Sequence, residues 1–220
     1  MQTAPFDVII LSIPRSSIAV EEALSWPEGQ KIICGLTQND FDALAGEKGW
    51  RLFRVLKDEA YTLCNAVLSA EGAVFAAMRQ ADFSLHQAAC IVIGYGRIGK
   101  ALTGMLRGLG AKVTVAARRR ESRDEAGKGS IAMEELPLSL PHAQLIFNTV
   151  PAPILGKEHL SLVNKDTLLI ELASPPYGID LSAAQEMGLR AWGEWGIPGR
   201  YCPKSAAQIL TDYLEREVFS

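Results

Sequence analysis

Three glycines spaced as Gly-x-Gly-x-x-Gly are the residues of this chain best suited to specific chemistry. They are Gly94, Gly96 and Gly99, and they follow an apolar run that starts at Ala89. One glycine can take the tight turn after a strand, a second lets the backbone approach a pyrophosphate, and a third lets the next helix pack closely. The spacing predicts a turn that binds a dinucleotide, although it also occurs in turns that only connect a strand to a helix.

The residues on either side of the glycines predict the two elements that such a turn needs. Residues 89–93 are apolar, as in a buried strand, and residues 97–109 have the pattern of a helix. The first N–H groups of a helix are unpaired and its dipole is positive at that end, so this helix would hold the phosphates. We therefore expect Tyr95, Arg97 and Ile98 to bind the cofactor together with the glycines.

Arginines follow the next predicted strand, residues 112–117. In an NAD site the end of this strand usually carries an Asp or Glu for the ribose 2′-hydroxyl, whereas arginine suits a 2′-phosphate. Arg118 and Arg119 therefore favour NADP, with NAD as the alternative. The same basic run could instead be the solvated start of the following helix.

Composition and charge exclude several classes of protein. The 220 residues are 48% hydrophobic and 21% charged, which suffices for one large core or two modest ones, and the net charge is only −3. We therefore expect neither nucleic acid nor a membrane as a partner. Without an apolar run of about 18 residues, and without a basic signal-peptide start in residues 1–5, the sequence favours a cytoplasmic protein. The spacing of Cys and His predicts reduced, mostly buried cysteines and no metal site.

The alternation of apolar runs and helical patterns predicts an α/β protein of two domains. Residues 1–84 would form a small, incomplete N-terminal α/β domain on the substrate side, and residues 85–220 a doubly wound Rossmann-type domain that binds NAD(P). The first domain has expected strands at residues 7–11, 31–34 and 55–56, and expected helices at residues 17–25, 37–47 and 69–80. The second has expected strands at residues 89–93, 112–117, near 131, 144–150, 167–172 and 189–192, with helices at residues 97–109, 156–163, 180–187 and 204–216.

Loops rich in proline and glycine follow the last three predicted strands. They are residues 148–153, 173–180 and 195–205. Ligands of open α/β sheets bind at the carboxyl ends of the strands, so these loops would form the walls around a nicotinamide. We expect Asn148, Thr149, Val150 and Pro151 to bind the cofactor, although any one of these loops could be an ordinary turn.

Several segments, in this order, resemble the family of the dipicolinate synthase A-subunit over nearly the whole chain. The most specific are Asn-Thr-Val-Pro at 148–151, Leu-Ala-Ser-Pro-Pro at 172–176, and Gly-Ile-Pro-Gly at 196–199 followed by Pro-Lys-Ser at 203–205; residues 65–72, 94–99 and 115–118 add to the match. The resemblance implies a sporulation oxidoreductase of the mother-cell cytoplasm. Its reaction would oxidise a dihydrodipicolinate-type precursor, from the lysine and diaminopimelate branch, to pyridine-2,6-dicarboxylate, together with a flavoprotein-like B-subunit.

This sequence also departs from the family pattern. Members usually begin with an extra strand–helix–strand of roughly 80 residues, so the N-terminal domain is expected to be incomplete. Leu68 stands where the family tends to have proline, and residues 200–202 replace smaller apolar residues. An apolar strand without its partners is a pairing liability, so we expect a homo-oligomer or a complex with the flavoprotein-like partner, unless nearby helices cover the edge.

The resemblance leaves the catalytic groups to be chosen among polar residues near the expected crevice. Lys204 is the candidate for binding a substrate carboxylate, and Ser174, Asn65 and Ser69 are candidates for hydrogen bonds to the substrate. Glu71 is the candidate base, although a glutamate near the start of a helix is often only a capping residue.

Two other functions stay open at this point. One is a different two-domain NAD(P)-dependent dehydrogenase, for example of a hydroxy or keto acid. Such an enzyme typically needs a histidine and carboxylate relay, and residues 193–205 contain no histidine. The other is a nucleotide-binding subunit without catalytic activity.

Overall fold

The computed structural model of the protein describes residues 7–13 and 20–219, and the chain divides into two compact units. The first unit comprises residues 1–64 and 207–220, and the second comprises residues 65–206. The helix at residues 59–80 and the last helix, at residues 203–217, each contribute residues to both units. The division therefore differs from the sequence-based boundary at residue 84, because a continuous helix hides a boundary that carries no proline or loop.

A three-stranded parallel sheet forms the first unit. Its order is β1 (Val8–Ile10), β2 (Lys31–Cys34) and β3 (Arg51–Arg54), with helices α1 (Val20–Ala23) and α2 (Asn39–Glu47). The third strand was expected at residues 55–56, which is wrong, because Val55–Lys57 form a single 3₁₀ turn. Arginines at both ends of β3 hide its two apolar residues from a search for apolar runs. Of the helix expected at 17–25, residues 17–19 lie outside the described residues, as do the first residues tested for a signal peptide.

Helix α3 (Glu59–Gln80) begins ten residues before the predicted helix. The Asp58 carboxylate accepts a hydrogen bond of 2.7 Å from the Tyr61 backbone N–H, which caps the first turn. By length and composition α3 could cross a membrane, but core helices of soluble proteins pass the same test. Ala70, Ala73 and Ala77 are fully buried against the second unit's sheet, so the structure uses α3 as a core helix.

The second unit is a doubly wound Rossmann-type sheet, as predicted. Its six parallel strands have the order β6-β5-β4-β7-β8-β9, so the direction of winding reverses between β4 and β7. The strands are β4 (Ala89–Ile93), β5 (Lys112–Ala116), β6 (Ser130–Ile131), β7 (Leu145–Asn148), β8 (Leu168–Glu171) and β9 (Arg190–Gly193). Each lies within about two residues of its predicted position, because buried parallel strands are nearly continuous apolar runs.

Helices cover both faces of this sheet. They are α4 (Arg97–Gly108), α5 (Arg120–Ala126), α6 (Leu136–Ser139), α7 (Lys157–Leu160), α8 (Leu181–Glu186) and α9 (Ile197–Tyr201). The last helix, α10 (Pro203–Glu217), places Tyr213 in the core of the first unit. One core packs α3, α4 and α9 on the sheet, and a second packs α6, α7 and α8 on the other face. Residues 195–205 were expected to be a loop, but they contain α9, which begins at Ile197 with a proline in its first turn.

The cysteines agree only in part with the sequence analysis, which expected them to be mostly buried. Cys34 and Cys90 are buried and Cys202 is half-buried, but Cys64 is exposed. Burial raises the pKa of the Cys90 thiol to about 12, so this thiol is inert. Within the described ranges no three His, Cys, Asp or Glu side chains come together as a metal site would require.

We expect Asp58 to make the stability of the first unit depend on pH. The Tyr61 N–H, followed by the Arg216 guanidinium 2.8 Å away, holds the pKa of Asp58 below its usual value. Its stabilising effect is therefore complete above the unfolded pKa of about 3.9 and is lost as the pH falls through the folded pKa. Asp58→Ala should lower the free energy of unfolding by about 1 kcal/mol at neutral pH, as measured by urea denaturation.

Asp58→Asn separates the contribution of the helix cap to stability from that of the negative charge of Asp58. Asparagine is a good capping residue, so this variant should retain most of the stability at neutral pH but lose the dependence between about pH 5 and pH 2. A pH profile identical in the native protein and both variants would contradict the assignment.

Candidate cofactor site and its neighbouring loops

Packing inside the protein requires two of the three glycines. Gly94 has a φ of +95°, and a Cβ there would lie 2.5 Å from Thr149 Oγ1 and 2.6 Å from Val150 Cγ2. A Cβ at Gly99 would overlap the Gly94 carbonyl oxygen. The strand-to-helix turn therefore folds this way only with glycine at both positions.

Gly96 is the glycine that the fold does not require. It is exposed at the N-cap of α4, its φ of −84° is ordinary, and a Cβ there would meet no atom within 4 Å. The open space in front of Gly96 and the positive end of the α4 dipole fit the phosphates of a dinucleotide. Tyr95, Arg97 and Ile98 complete this turn, with Ile98 packed on the core below it.

The end of β5 brings the arginines to the same edge of the sheet. The Gly94 N–H donates to the Ala116 carbonyl at 2.9 Å, so Arg118 lies two residues beyond a strand end that touches the glycine turn. Arg123 Nη1 donates to the carbonyl oxygens of Ala117 and Arg118 and holds this corner. Arg118 and Arg119 are exposed, and neither forms an ion pair with another described residue.

The loop after β7 lies on the other side of the turn. Thr149 Oγ1 donates to the Ile93 carbonyl at 2.9 Å, which joins this loop to the end of β4. The Asn148 side chain is fully buried and bonds to the backbone of Val150. Asn148 therefore shapes the loop from beneath, whereas Thr149 and Val150 are half-buried and Pro151 is exposed.

Sequence reasoning missed Glu171, a fully buried carboxylate at the end of β8. Its Oε1 accepts hydrogen bonds from Asn148 Nδ2 at 2.7 Å and from the Ala173 N–H at 2.8 Å. Its Oε2 accepts from the N–H groups of Gly178 at 2.8 Å and Ile179 at 2.7 Å. A glutamate closing the otherwise apolar strand Leu-Leu-Ile-Glu was the one signal that could have revealed it.

A second buried carboxylate, Glu194, was also missed. It accepts hydrogen bonds from Arg200 Nη1 at 2.5 Å, the Tyr201 hydroxyl at 2.8 Å and Trp192 Nε1 at 3.0 Å. These bonds fix α9 to the end of β9. Burial, together with the bond to Glu194, raises the pKa of the Tyr201 hydroxyl.

The loops after β8 and β9 also hold each other. Trp195 Nε1 donates to the Ala173 carbonyl at 3.0 Å, and its ring lies 5.0 Å from that of Tyr177. Ser174 is exposed between them. The loops after β7 and β8 together line a cavity of about 690 Å³, which includes Pro153 and Tyr177.

Of the candidate substrate groups on α3 and α10, Glu71 and Lys204 are exposed and Ser69 is buried. Glu71 on α3 is exposed and accepts a long hydrogen bond, of 3.9 Å, from the Cys202 thiol. Burial and, to a smaller extent, the Glu71 carboxylate raise the pKa of that thiol. Lys204 is exposed in the first turn of α10, two residues farther on. The buried Ser69 hydroxyl donates to the Asn65 carbonyl within α3, so it has no proton left to offer a substrate.

Comparisons with known proteins show what the chain is similar to. Residues 67–175 match the family described as D-isomer specific 2-hydroxyacid dehydrogenase, NAD binding domain. The dipicolinate synthase A-subunit of Bacillus subtilis (strain 168) is 29% identical over 188 residues, which are 84% of this chain and 63% of that protein. The crystal structure of the dipicolinate synthase A-subunit from Bacillus halodurans is 27% identical, with a TM-score of 0.85 over 95% of this chain and 78% of that one. The chain resembles the A-subunit of dipicolinate synthase.

The resemblance inferred from the motifs is thereby confirmed. The chain spans 63% of the length of the curated dipicolinate synthase A-subunit that it matches. A transhydrogenase from Sinorhizobium meliloti, 20% identical with a TM-score of 0.73 over 95% of this chain and 74% of that one, shares the fold. The matched NAD-binding domain supports a nicotinamide cofactor in the second unit.

Gly96→Val should abolish binding of the nicotinamide cofactor while leaving the fold intact. The valine side chain would occupy the space in front of the α4 N-terminus but would meet no protein atom at its Cβ. We expect NADPH affinity, measured by fluorescence titration, to fall at least about a hundredfold, a loss of about 2.7 kcal/mol.

Gly104→Val is the matched control on the same helix, because a Cβ there also meets no atom within 4 Å. It should bind NADPH as the native protein does. A folded Gly96→Val protein with unchanged affinity would remove the glycine turn from the cofactor site.

Proposed function

We propose that the protein is an NADP-dependent oxidoreductase that converts a dihydrodipicolinate-type precursor to dipicolinate, pyridine-2,6-dicarboxylate. The observation that carries the proposal is the similarity to the dipicolinate synthase A-subunit over 84% of the chain. The glycine turn with open space at Gly96 supports the cofactor part of the proposal. When bound there, the cofactor would take a hydride from the substrate.

The preference for NADP rests on the end of β5. Ala116 and Ala117 are buried there, and the first side chain to reach the surface is that of Arg118. A guanidinium can bond a ribose 2′-phosphate in two places at once, whereas a ribose hydroxyl offers it no charge. Arg119, at the N-cap of α5, would supply a second positive charge.

The remaining chemistry falls to side chains of the second unit. Forming a pyridine from a dihydropyridine removes a hydride from one ring carbon and a proton from a neighbouring atom. Lys204 would pair with a substrate carboxylate, and Ser174 and Asn65 would donate or accept hydrogen bonds. Glu71, which is exposed and accepts a hydrogen bond from the Cys202 thiol, would accept the proton. Ser69 would take part only through the lone pairs of its hydroxyl.

The proposed partners follow from the same resemblance. They are a flavoprotein-like B-subunit, the small dicarboxylate substrate and further copies of the chain, in the cytoplasm of a sporulating mother cell. In the described part of the chain β1 is an edge strand of its sheet, and Ile10 on it is 58% exposed. An uncovered apolar edge of this kind favours association with another chain.

A dehydrogenase of a hydroxy or keto acid is the second candidate. The match of residues 67–175 to a D-isomer specific 2-hydroxyacid dehydrogenase domain favours it. Against it, none of the three histidines, His86, His142 and His159, lies in residues 193–205.

One assay separates these functions. The purified chain, with and without the flavoprotein-like partner, is incubated with NADP⁺ and the product of dihydrodipicolinate synthase, and the ultraviolet bands of dipicolinate are recorded. We expect dipicolinate and NADPH to form together. Reduction of NADP⁺ by 2-hydroxy acids alone would establish the second candidate. Cofactor binding without any turnover, even with the partner present, would indicate a noncatalytic protein.

Arg118→Asp should reverse the cofactor preference. Loss of a charge-assisted hydrogen bond to the 2′-phosphate costs about 1.5–3 kcal/mol, so NADPH affinity should fall about ten- to a hundredfold while NADH affinity does not. Calorimetric titration of both cofactors measures this ratio. Arg120→Asp, which removes an exposed arginine 3.7 Å from Asp124, is the control and should leave the ratio nearly unchanged. Equal affinity of the native protein for NAD and NADP would show that the arginines are only a solvated surface.

A further inference from the structure

We propose that Glu171 is a positioning residue for the nicotinamide half of the cofactor. It would act by holding the loops after β7 and β8 in one arrangement. The inference rests on the cofactor in the proposed function and adds a residue that neither the motifs nor the resemblance singled out.

Strand order decides which half of the cofactor these loops face. The glycine turn follows β4, and Arg118 follows β5 on one side of it. A dinucleotide with its pyrophosphate at the turn and its 2′-phosphate at Arg118 has its adenosine on the β5 side. Its nicotinamide half therefore extends to the other side, over the ends of β7 and β8.

Glu171 is the residue that connects the loop after β7 with the loop after β8. Through Asn148 it reaches the loop after β7, because the Asn148 amide also bonds both the N–H and the carbonyl of Val150. Through its bonds to the N–H groups of Ala173, Gly178 and Ile179 it bends the loop after β8 around its own carboxylate. One buried side chain thus sets the backbone of both loops.

The same bonds shape the cavity between these loops. Gly178 and Ile179 line it, and the Gly178 carbonyl accepts hydrogen bonds from the N–H groups of Ile154 at 2.9 Å and Leu155 at 2.8 Å on the opposite wall. Moving the segment at 178–179 away from Glu171 would therefore displace both walls.

A substitution at Gly178 is a second, independent way to disturb the hydrogen bonds between Glu171 and the two loops. A Cβ there would overlap the side-chain amide of Asn148, so only glycine lets the loop approach the Asn148–Glu171 pair. Gly178→Ala should push the loop outward without changing any charge. Its effect should match that of altering Glu171.

A carboxylate is needed here because all four partners are donors. Two backbone N–H groups point at Oε2, and an amide and a third N–H point at Oε1. Glutamine has nearly the same shape but places an NH₂ group against at least one of these donors. Glu171→Gln therefore alters the geometry while adding no bulk.

The test compares the whole cofactor with its adenosine half. NADPH and adenosine 2′,5′-bisphosphate are titrated calorimetrically into the native chain, Glu171→Gln and Gly178→Ala, each verified as folded by circular dichroism. We expect both variants to bind NADPH about tenfold more weakly and the bisphosphate within about twofold of the native value. A residue with only a structural role would change neither affinity in the folded protein, or would change both.

Two control variants show whether the losses are specific to the hydrogen bonds of Glu171. Glu186→Gln removes an exposed carboxylate, and Gly104→Ala adds a Cβ that meets no atom within 4 Å; both should bind the two ligands as the native chain does. Native NADPH affinity in either folded network variant, or equal losses for both ligands, would overturn the positioning role. If the native chain binds neither ligand, the proposed cofactor itself is wrong, and the positioning role is overturned with it.

Discussion

The contact between Gly99 and the Gly94 carbonyl is the constraint on which the second unit depends. No side chain fits between the end of β4 and the first turn of α4, so the helix begins directly against the sheet. The N-terminus of α4 therefore lies at the carboxyl edge, between the end of β5 and the loop after β7. Each proposed cofactor contact takes its place relative to that short turn.

Two buried carboxylates organise the rest of that edge in different ways. Glu171 is surrounded by neutral N–H donors of its own loops, which satisfy its charge without a cation. Glu194 has an arginine as a partner, at 2.5 Å, and holds a helix instead of a loop. Burying a charge is costly unless it is bonded on every side, so each carboxylate commits the surrounding backbone to one conformation.

The sequence predicted correctly those features that depend on residues close to one another in the chain. The strands of the second unit are apolar on both faces, so their positions could be predicted from runs such as residues 89–93. The spacing of the glycines predicted the turn. What failed depends on partners distant in sequence. Strand β3 is held by pairing with β2 although arginines flank it, and α9 is fixed by close packing of Ile197 and Tyr201 on Gly72. The roles of Glu171 and Asn148 likewise exist only once β7 and β8 lie side by side.

The loop that follows β8 differs in one respect from an ordinary surface loop. Its Ala173, Gly178 and Ile179 amide protons all point at one carboxylate that solvent does not reach. Those protons should exchange with deuterium at the slow rates of the sheet interior, and neighbouring exposed amides such as that of Ser174 at the fast rates of a loop. The segment therefore combines an open outer surface with an inner side as rigid as the core, which suits a wall that must meet a ligand without rearranging.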